Sequence, residues 1–365
     1  PSSYYGYQST YTTGAFYSGK PSPWESTLGN EELTWEKNYA LNLGLDIGLF
    51  SRVNVSLDWY TRTTKDLLMS KQLNSISGFS SLLTNVGQMR NTGVELEVRS
   101  NNIKTKDFSW TTAFNLSHNK NKILKLADLP WFVDGRYVRK EAYPFNTIYL
   151  REYAGVDPET GSALYYDNQQ DENGNYTKNK VTDPGQASPI PLKDITPTIS
   201  GGFMNTFNYK SWELNLNFSY NFGAYVKTTP SYSLTKFDAS RNTNRDILDR
   251  WTPENKNGKF PAILTAASNP AEYSLLFDQP RIYNSLDIWV KKLNYIRLQN
   301  IRLAYQIPSK LLNRININGA TVAVEARNLF VFGSSYKNYL DPESMGNLYA
   351  TPIAKSVTFN LSLNF

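Results

Sequence analysis

The residue types that most often perform catalysis are scarce in this sequence. The 365 residues contain no cysteine and a single histidine, His118. Thiol nucleophiles, disulfides and cysteine-containing zinc sites are therefore excluded, and a Ser/His/Asp triad would have to be built on His118. Glu95 and Glu97 lie on one face of a predicted strand, but a glycosidase needs two carboxyl groups facing each other about 5–9.5 Å apart across a cleft. The sequence shows no sign of such a facing pair, so we expect a protein that is not an enzyme.

One segment carries oxygen ligands of the kind that hold hard cations. Asp171-Glu172-Asn173-Gly174-Asn175 could offer carboxylate and amide oxygens to Ca²⁺, but it lacks the spacing of an EF-hand loop. An ordinary polar turn is the favoured interpretation, and calcium bound at this loop is the weaker one. No other cofactor or metal is expected.

The charge pattern does not favour nucleic-acid binding. The net charge of +6 comes from 38 basic and 32 acidic residues. The basic excess is scattered through loops, with small clusters at Lys120/Lys122/Lys125 and Arg136/Arg139/Lys140. A nucleic-acid surface would need a concentrated stripe and a recognisable fold motif behind it. A run of about 18 apolar residues, as in a transmembrane helix, is absent from the sequence.

Alternation with a period of two is the strongest pattern in the chain and predicts β-strands. From Trp212 to Phe222 every second residue is apolar, and the residues between them are polar. A change of phase within 288–305 predicts a β-bulge, and 308–312 predicts a short helical turn. The same alternation recurs in 41–49, 53–59, 94–98, 110–116, 322–326 and 357–365.

The connections between these strands differ in length at the two ends. Short turns such as 50–52 and 209–211 alternate with long, polar and glycine-rich loops. Short turns at one end and long loops at the other are typical of an outer-membrane barrel. We expect a hairpin inside the longest loop, with arms 147–154 and 162–166. The predicted long loops are 70–88, 119–196, 227–287 and 331–353.

Aromatic residues occur near both ends of the predicted strands. Trp212 and Phe222 are ten residues apart, which corresponds to about 25 Å along the membrane normal for a tilted strand. Amphipathic rings favour the membrane interface, although core aromatics of a soluble sheet are an alternative. The opposite face carries charges and amides such as Asp58 and Glu95, which fits a wet lumen. The predicted interface aromatics are Trp59, Trp110, Trp212, Tyr220, Phe222 and Tyr305.

The strand count predicts an incomplete barrel. About nine strands are expected, and bacterial barrels normally have an even number. Unpaired strand edges in lipid cost several kcal/mol for each backbone group, so other strands must complete the structure. The expected fold class is all-β, a segment of a transmembrane antiparallel barrel.

A series of short motifs, in order and with consistent spacing, resembles one known family. From Asn30 onward the chain is similar to the SusC/RagA-like TonB-dependent outer-membrane transporters. The motifs include NEELTWE at 30–36, NVGQMRNTGVELEV at 85–98, YAGVDPETG at 153–161, DRWTPEN at 249–255, YIRLQNIRLAYQIP at 295–308 and LDPES at 340–344.

The resemblance implies a 22-stranded barrel plugged by an N-terminal domain, in the bacterial outer membrane. This chain would be the C-terminal part, about strands 14 to 22. Residues 1–32 would form an extracellular loop and the end of a preceding strand, and 33–365 the remaining strands and loops. Phe365 would be the aromatic signal for barrel assembly.

The resemblance also implies active import of nutrients, most often oligosaccharides and sometimes peptides. Implied partners are the plug-containing portion of the transporter, a SusD-like surface lipoprotein, TonB acting through the plug, and the membrane lipids. Sugars stack on aromatic rings, so loop aromatics are candidate contacts, and Arg136 could pair with an acidic ligand. Packing between loops or against the lipoprotein is the alternative role. The candidate aromatics are Tyr4, Tyr5, Tyr7, Trp131, Tyr137 and Tyr149.

Two other functions compete with the importer. A secreted all-β carbohydrate-binding or glycosidase domain would be soluble without detergent and would bind sugar by itself. A self-contained diffusion porin would need an even number of strands and closure without another chain.

Overall fold

Strands dominate the computed structural model. It describes residues 6–126, 130–228, 245–265, 285–312, 317–333, 341–344, 351 and 353–364. The strands of the first half are β1 (Thr10–Tyr17), β2 (Lys20–Thr27), β3 (Lys37–Leu49), β4 (Val53–Lys65), β5 (Leu68–Gln72), β6 (Ser81–Asn85), β7 (Gln88–Lys104), β8 (Phe108–Lys125), β9 (Trp131–Asp134) and β10 (Tyr137–Lys140). Those that follow are β11 (Thr147–Leu150), β12 (Tyr153–Val156), β13 (Ala163–Tyr166), β14 (Lys180–Val181), β15 (Ile190–Asp194), β16 (Ile199–Tyr209), β17 (Trp212–Lys227), β18 (Val290–Ile307), β19 (Gly319–Phe332) and β20 (Ser356–Asn364).

Among the described residues, helical structure is limited to short turns. One α-helix, α1 (Ser309–Leu312), lies where a helical turn was predicted. Single 3₁₀ turns occupy Ser75–Ser77, Arg245–Asp249 and Asp287–Trp289. None of the helices within the described ranges is long and apolar enough to cross a membrane.

Among the described residues, nine strands form one large antiparallel sheet, which we name the wall. Its spatial order is β3-β4-β7-β8-β16-β17-β18-β19-β20, so each strand pairs with the next wall strand along the chain. The short turns predicted at 50–52 and 209–211 join β3 to β4 and β16 to β17. The predicted barrel segment is therefore confirmed in its strand number and its up-and-down order.

The register of the wall separates an apolar face from a polar one. Apolar residues at alternate positions fall into rows that cross the strands, and many of their side chains are exposed, among them Leu43 (60%) and Phe359 (78%). An exposed apolar face this extensive requires an apolar solvent. One apolar row runs Leu45, Leu57, Leu96, Leu116, Gly201, Tyr220, Ile296 and Phe332. A row on the opposite face runs Asp46, Ser56, Glu97, Asn115, Gly202, Ser219 and Arg297.

The predicted bulge is confirmed in β18. The pairing shifts between Leu298 and Asn300 against both neighbouring strands, so Gln299 is the extra residue. The Gln299 side-chain amide donates to the Ser219 hydroxyl at 2.7 Å. This bulge explains why the apolar positions of β18 change phase partway along the strand.

The long connections hold small sheets of their own. Strands β9, β10, β11 and β15 form one, and β12, β13 and β14 form another; we name these the loop sheets. The predicted hairpin is present between β12 and β13, and its second arm lies where it was expected. The predicted extent of the first arm, 147–154, was wrong, because this segment divides into β11, which pairs with β10 and β15, and β12, which pairs with β13. Strand β8 also extends through Lys125, seven residues into the predicted loop 119–196.

Two buried clusters attach the loop sheets to neighbouring segments. In the first, the rings of Phe260 and Trp289 stack at 5.8 Å beside Tyr165 and Leu286. In the second, Ile123 at the end of β8 packs with Phe132 of β9. Because Ile123 belongs to the wall and Phe132 to the loop sheet of β9, β10, β11 and β15, burial of this cluster attaches that sheet to the end of the wall.

Candidate functional site

A pocket lies between the two loop sheets, and we name it the loop pocket. Its volume is about 380 Å³. Four-residue strands carry its walls: β9 and β11 contribute aromatic rings, and the segment after β13 contributes amides. Its main lining residues are Trp131, Lys140, Tyr149, Asn168, Gln169, Gln170, Tyr176, Ser188 and Pro189.

The two aromatic residues predicted for ligand contact in this region are neighbours in the pocket. The rings of Trp131 and Tyr149 have centroids 5.8 Å apart at an interplanar angle of 50°. Trp131 remains 43% exposed, so its ring is available to a ligand. An open aromatic ring beside a second ring is the kind of platform on which a sugar or another flat apolar surface stacks.

The amide side chains around this platform are held by long hydrogen bonds. Gln169 Nε2 lies 3.4 Å from the carbonyl oxygen of Gln186, and Gln170 Nε2 lies 3.5 Å from that of Gly174. Hydrogen bonds of this length are weak, so a ligand with well-placed oxygens can replace them at little cost. The pocket therefore presents adaptable donors and acceptors beside its rings.

The phenols of the pocket keep their protons at ordinary pH. Burial raises the pKa of Tyr149, and the neighbouring Tyr176 phenol adds to the effect. Burial likewise raises the pKa of Tyr176. Both residues are then neutral hydrogen-bond donors and acceptors, and the ionised side chain among the main lining residues is that of Lys140. The chemistry suits a neutral, hydrogen-bonding ligand.

The other predicted contact residues are placed differently. Tyr137 packs beneath the Arg139 guanidinium, 5.4 Å from its ring centroid, and Arg136 accepts the Tyr149 N–H on its backbone carbonyl at 2.9 Å. Tyr7 is exposed, and its hydroxyl accepts from Gln8 at 3.1 Å. None of these three lines the loop pocket. Tyr4 and Tyr5 lie outside the described residues.

Sequence reasoning missed the polar half of the pocket. Backbone hydrogen bonds bring the amides at 168–170 and the segment 188–191 to the pocket. The Asp167 N–H donates to the Asn179 carbonyl oxygen at 3.0 Å, and the Ser188 N–H donates to the Asp167 carbonyl oxygen at 2.9 Å. These are contacts between distant parts of one loop. The run Asn168-Gln169-Gln170 is the available signal, since three consecutive amides are suited to ligand hydrogen bonding.

A second concavity, the lumenal groove, lies on the polar face of the wall. It has a volume of about 380 Å³ and is lined by Asn42, Asp58, Tyr60, Arg62, Asn91, Glu95 and Asn119. The Tyr60 hydroxyl donates to Asn119 Oδ1 at 3.1 Å, and Asn121 Nδ2 donates to Asn91 Oδ1 at 2.8 Å. Its two carboxylates, amides and phenol form a hydrophilic lining suited to a hydrated solute.

An arginine on the polar face attaches a distant segment to the wall. Arg297 in β18 is 1% exposed and forms ion pairs with Asp341 and, at 2.8 Å, with Glu343. Both carboxylates belong to the LDPES motif, and Arg297 belongs to the YIRLQNIRLAYQIP motif. Two of the motifs that carry the resemblance therefore meet in one buried contact.

The candidate calcium segment forms a turn closed by its own carboxylate. Asp171 Oδ1 accepts the N–H groups of Asn173 at 2.9 Å and Asn175 at 2.8 Å. The backbone hydrogen bond from Asn175 lowers the pKa of Asp171. Within the described residues, no group of three or more His, Cys, Asp or Glu side chains could hold a metal ion.

Comparison with known families identifies this architecture. The family described as TonB-dependent receptor-like β-barrel matches residues 1–185, half of the chain. The chain belongs to this family.

Relatives of this TonB-dependent receptor barrel support the same assignment. The chain is 30% identical over 370 residues to the TonB-dependent receptor P3 of Formosa agariphila, covering 93% of this chain and 35% of that protein. It is 27% identical over 344 residues to the TonB-dependent receptor SusC of Bacteroides thetaiotaomicron, covering 92% of this chain and 32% of that protein. The chain thus spans about a third of the length of these curated relatives.

The fold has a close match among solved structures. A chain of the RagAB peptide transporter aligns with a TM-score of 0.81 and 28% identity, covering 99% of this chain and 39% of that chain. These comparisons confirm the predicted SusC/RagA-like resemblance, the β-barrel class and the outer-membrane location. The apolar face of the wall therefore lies in the lipid of the outer membrane.

Four of the six aromatics predicted for the membrane interface lie at two levels of this lipid-facing side. At the level nearer the loops, Trp59 and Phe222 share a row with Val94 and His118. At the short-turn end, Trp212 packs against Tyr305 at 4.6 Å.

The remaining interface candidates have polar partners. Trp110 donates its indole N–H to Asn205 at 2.9 Å. Tyr220 is buried, and its hydroxyl donates to the Asn115 carbonyl at 2.7 Å. Phe365 lies outside the described residues.

Proposed function

We propose that this chain is the C-terminal wall portion of a TonB-dependent active importer of nutrients. The observation that carries the proposal is the joint arrangement of the loop pocket and the wall: an aromatic and amide pocket lies over a wall whose outer face is apolar and whose inner face is polar. A ligand held at the loops would thus be positioned above a hydrophilic path. We propose binding and passage of the ligand, and no catalytic step, at the loop pocket and the lumenal groove.

Oligosaccharides are the substrate class that we propose first. The exposed Trp131 ring offers a stacking surface, and the amides at 168–170 offer donors and acceptors for hydroxyl groups. Peptides are the second candidate, because the structural match is to a peptide transporter and the same amides can pair with peptide groups. A ligand with many carboxylates is disfavoured, because the pocket offers a single lysine, Lys140, to neutralise their negative charge.

The proposal includes partners for the assembled transporter. A SusD-like surface lipoprotein would cover the loop sheets, and TonB would act on the plug of the N-terminal portion. The relatedness to SusC and to the RagAB transporter chain supports this kind of assembly. A secreted soluble domain is disfavoured, because the apolar face of the wall would then contact water.

The loop pocket can be tested with Trp131→Ala in the intact transporter. Loss of an aromatic stacking partner removes about 0.5–1.5 kcal/mol beyond the buried area, so we expect affinity for the transported oligosaccharide to fall about tenfold. Calorimetry with oligosaccharides of graded length and with peptides of matched mass would measure this and would show which class binds. Growth on the same ligand as sole carbon source would report transport.

Trp24→Ala is the matched control, because Trp24 is an exposed tryptophan in β2 and does not line the loop pocket. Its affinity should stay at the wild-type value. Unchanged affinity in Trp131→Ala would exclude the loop pocket as the ligand site. Whether the intact protein imports the ligand would then be decided by the growth assay alone.

A further inference from the structure

A cleft opens in the wall where one strand stops short of its neighbours. Strand β16 begins at Ile199, opposite His118, whereas β8 continues to Lys125 and β17 to Lys227. The space above Ile199 forms a cleft of about 540 Å³. We name it the lysine cleft after its lining, which includes His118, Lys120, Lys122, Lys193, Tyr225 and Lys292.

Four of the five basic side chains of the cleft belong to the lipid-facing side of the wall, and the fifth, Lys193, belongs to β15 of a loop sheet. His118, Lys120 and Lys122 follow Phe114 and Leu116 at even positions of β8, so they project from the same face. On β18, Lys292 lies on the same face as Ile296, which is in the apolar row beside Tyr220. The cleft therefore opens outward from the barrel.

The height of the cleft corresponds to the membrane surface. His118 shares a row with Val94 and Phe222, at the loop-side edge of the apolar band. Lys120 and Lys122 lie two and four residues beyond it, which is about 5 and 10 Å along the normal for a tilted strand. Long loops mark the extracellular end, so these ammonium groups lie at the headgroups of the outer leaflet.

The cleft has a strong excess of positive charge. Four lysines line it against one carboxylate, Asp194, which accepts the Thr196 N–H at 3.0 Å. In the part of the chain that the structure describes, Lys120 and Lys122 take part in none of the ion pairs. Lys193 lies over the Tyr225 ring at 6.0 Å. Clustered ammonium groups repel one another unless an anion is bound between them.

We propose that the lysine cleft binds the phosphate groups of a phosphorylated glycolipid of the outer leaflet. Lysines suit phosphate as compact point charges, and a juxtamembrane cluster of them is attracted to anionic lipid headgroups. The apolar rows directly below the cleft provide a surface for the acyl chains of the same molecule. Because the cleft opens on the lipid side, a membrane-resident phosphate reaches it more directly than a soluble one does.

The test uses the intact transporter in detergent and a variant with all four cleft lysines changed to Gln. Native mass spectrometry with added bis-phosphorylated lipid A measures the bound lipid, and dephosphorylated lipid A and inorganic phosphate serve as separate probes. We expect the variant to bind the phosphorylated lipid at least tenfold more weakly, and a Lys→Arg version to retain binding. A control variant changes four exposed lysines at the short-turn end to Gln: Lys104, Lys106, Lys210 and Lys310.

The outcomes separate the possible sources of phosphate. Equal binding of dephosphorylated lipid A, or equal loss in the control variant, would overturn the proposal. Displacement of the lipid by inorganic phosphate at similar concentration would show a site for free anions and would also overturn it. Heat-modifiable migration on gels would verify that each variant is folded, and the exposed positions of the substituted lysines make a folded variant the expected result.

Discussion

Two tyrosines of the wall lie over glycines of the adjacent strand. Tyr60 on β4 is paired with Gly93 on β7, and Tyr220 on β17 is paired with Gly201 on β16. A Cβ atom at Gly93 would lie 2.5 Å from the Tyr60 hydroxyl oxygen, and one at Gly201 would lie 2.6 Å from that of Tyr220. The missing side chain lets each ring lie flat across the strands, an arrangement that stabilises a sheet at its glycines.

Gly93→Ala should therefore destabilise the barrel. The added methyl group would meet the Tyr60 ring and, at 2.4 Å, the His118 carbonyl oxygen, so the strands or the ring must shift. Overpacking of this kind costs about 1–3 kcal/mol. The temperature at which the intact protein loses its heat-modifiable gel mobility would measure the loss.

Gly14→Ala is the matched control, because a Cβ at Gly14 has no atom within 4 Å and the residue lies in β1, outside the wall. Its unfolding temperature should equal that of the wild type. An unfolding temperature in Gly93→Ala that also equals the wild-type value would show that the Tyr60 ring moves away without cost.

At the scale of elements, β18 holds two arginines in contrasting surroundings. Arg297 is 1% exposed and bound to Asp341 and Glu343, while Arg302 is 33% exposed and forms an ion pair of 2.5 Å with Glu213. Breaking a buried ion pair leaves charges without partners, whereas an exposed pair contributes little. The same residue type on one strand therefore has two different roles.

Arg297→Met should release the segment 341–344 from the wall and lower the free energy of unfolding by about 3 kcal/mol. This is the lower end of the range for a buried ion pair, because Glu343 is partly exposed. Hydrogen exchange in peptides that contain Asp341 should rise sharply. Arg302→Met is the control, with an expected cost below about 1 kcal/mol and unchanged exchange at Asp341. Equal exchange in the two variants would exclude the attachment role of Arg297.

The wall strands could be predicted from the sequence because their two faces meet two different environments. Lipid outside and polar groups inside impose the alternation from Trp212 to Phe222, and the phase change revealed the bulge at Gln299. The loop sheets could not be predicted in this way. Their strands are two to five residues long, and their positions depend on distant contacts such as the Tyr153 N–H donated to Asp287 at 2.8 Å.

The same division applies to the candidate site. Trp131 and Tyr149 were predicted by residue type, and the contact between their rings needs only strands of one loop sheet. The amides at 168–170 reach the pocket because the second loop sheet packs beside the first. Local sequence patterns do not predict packing between two sheets. The lysine cleft depends on where β16 begins relative to β8, and that is a property of pairing between strands.

At the scale of the whole molecule, the wall has two open edges. Within the described part of the chain, β3 and β20 each pair with one neighbour. Every residue of these two strands is exposed. Alternate strands of an antiparallel sheet reverse direction, so the first and ninth strands of the wall run in the same direction. Closing the wall on itself would need one parallel pair, unlike every other pair in it.

We therefore expect β3 and β20 to be separated by other strands in the intact barrel, because unpaired backbone groups in lipid cost several kcal/mol each. This chain contains no cysteine, so a pair of cysteines introduced into it can be tested for disulfide formation. Cysteines placed on the polar face at Asp46 of β3 and Asn360 of β20 should not cross-link in the intact protein. Thr321→Cys with Ser362→Cys, a paired position of β19 and β20, should cross-link and serves as the control. A cross-link between β3 and β20 would instead support a self-contained porin, because only direct closure of the wall brings these strands together.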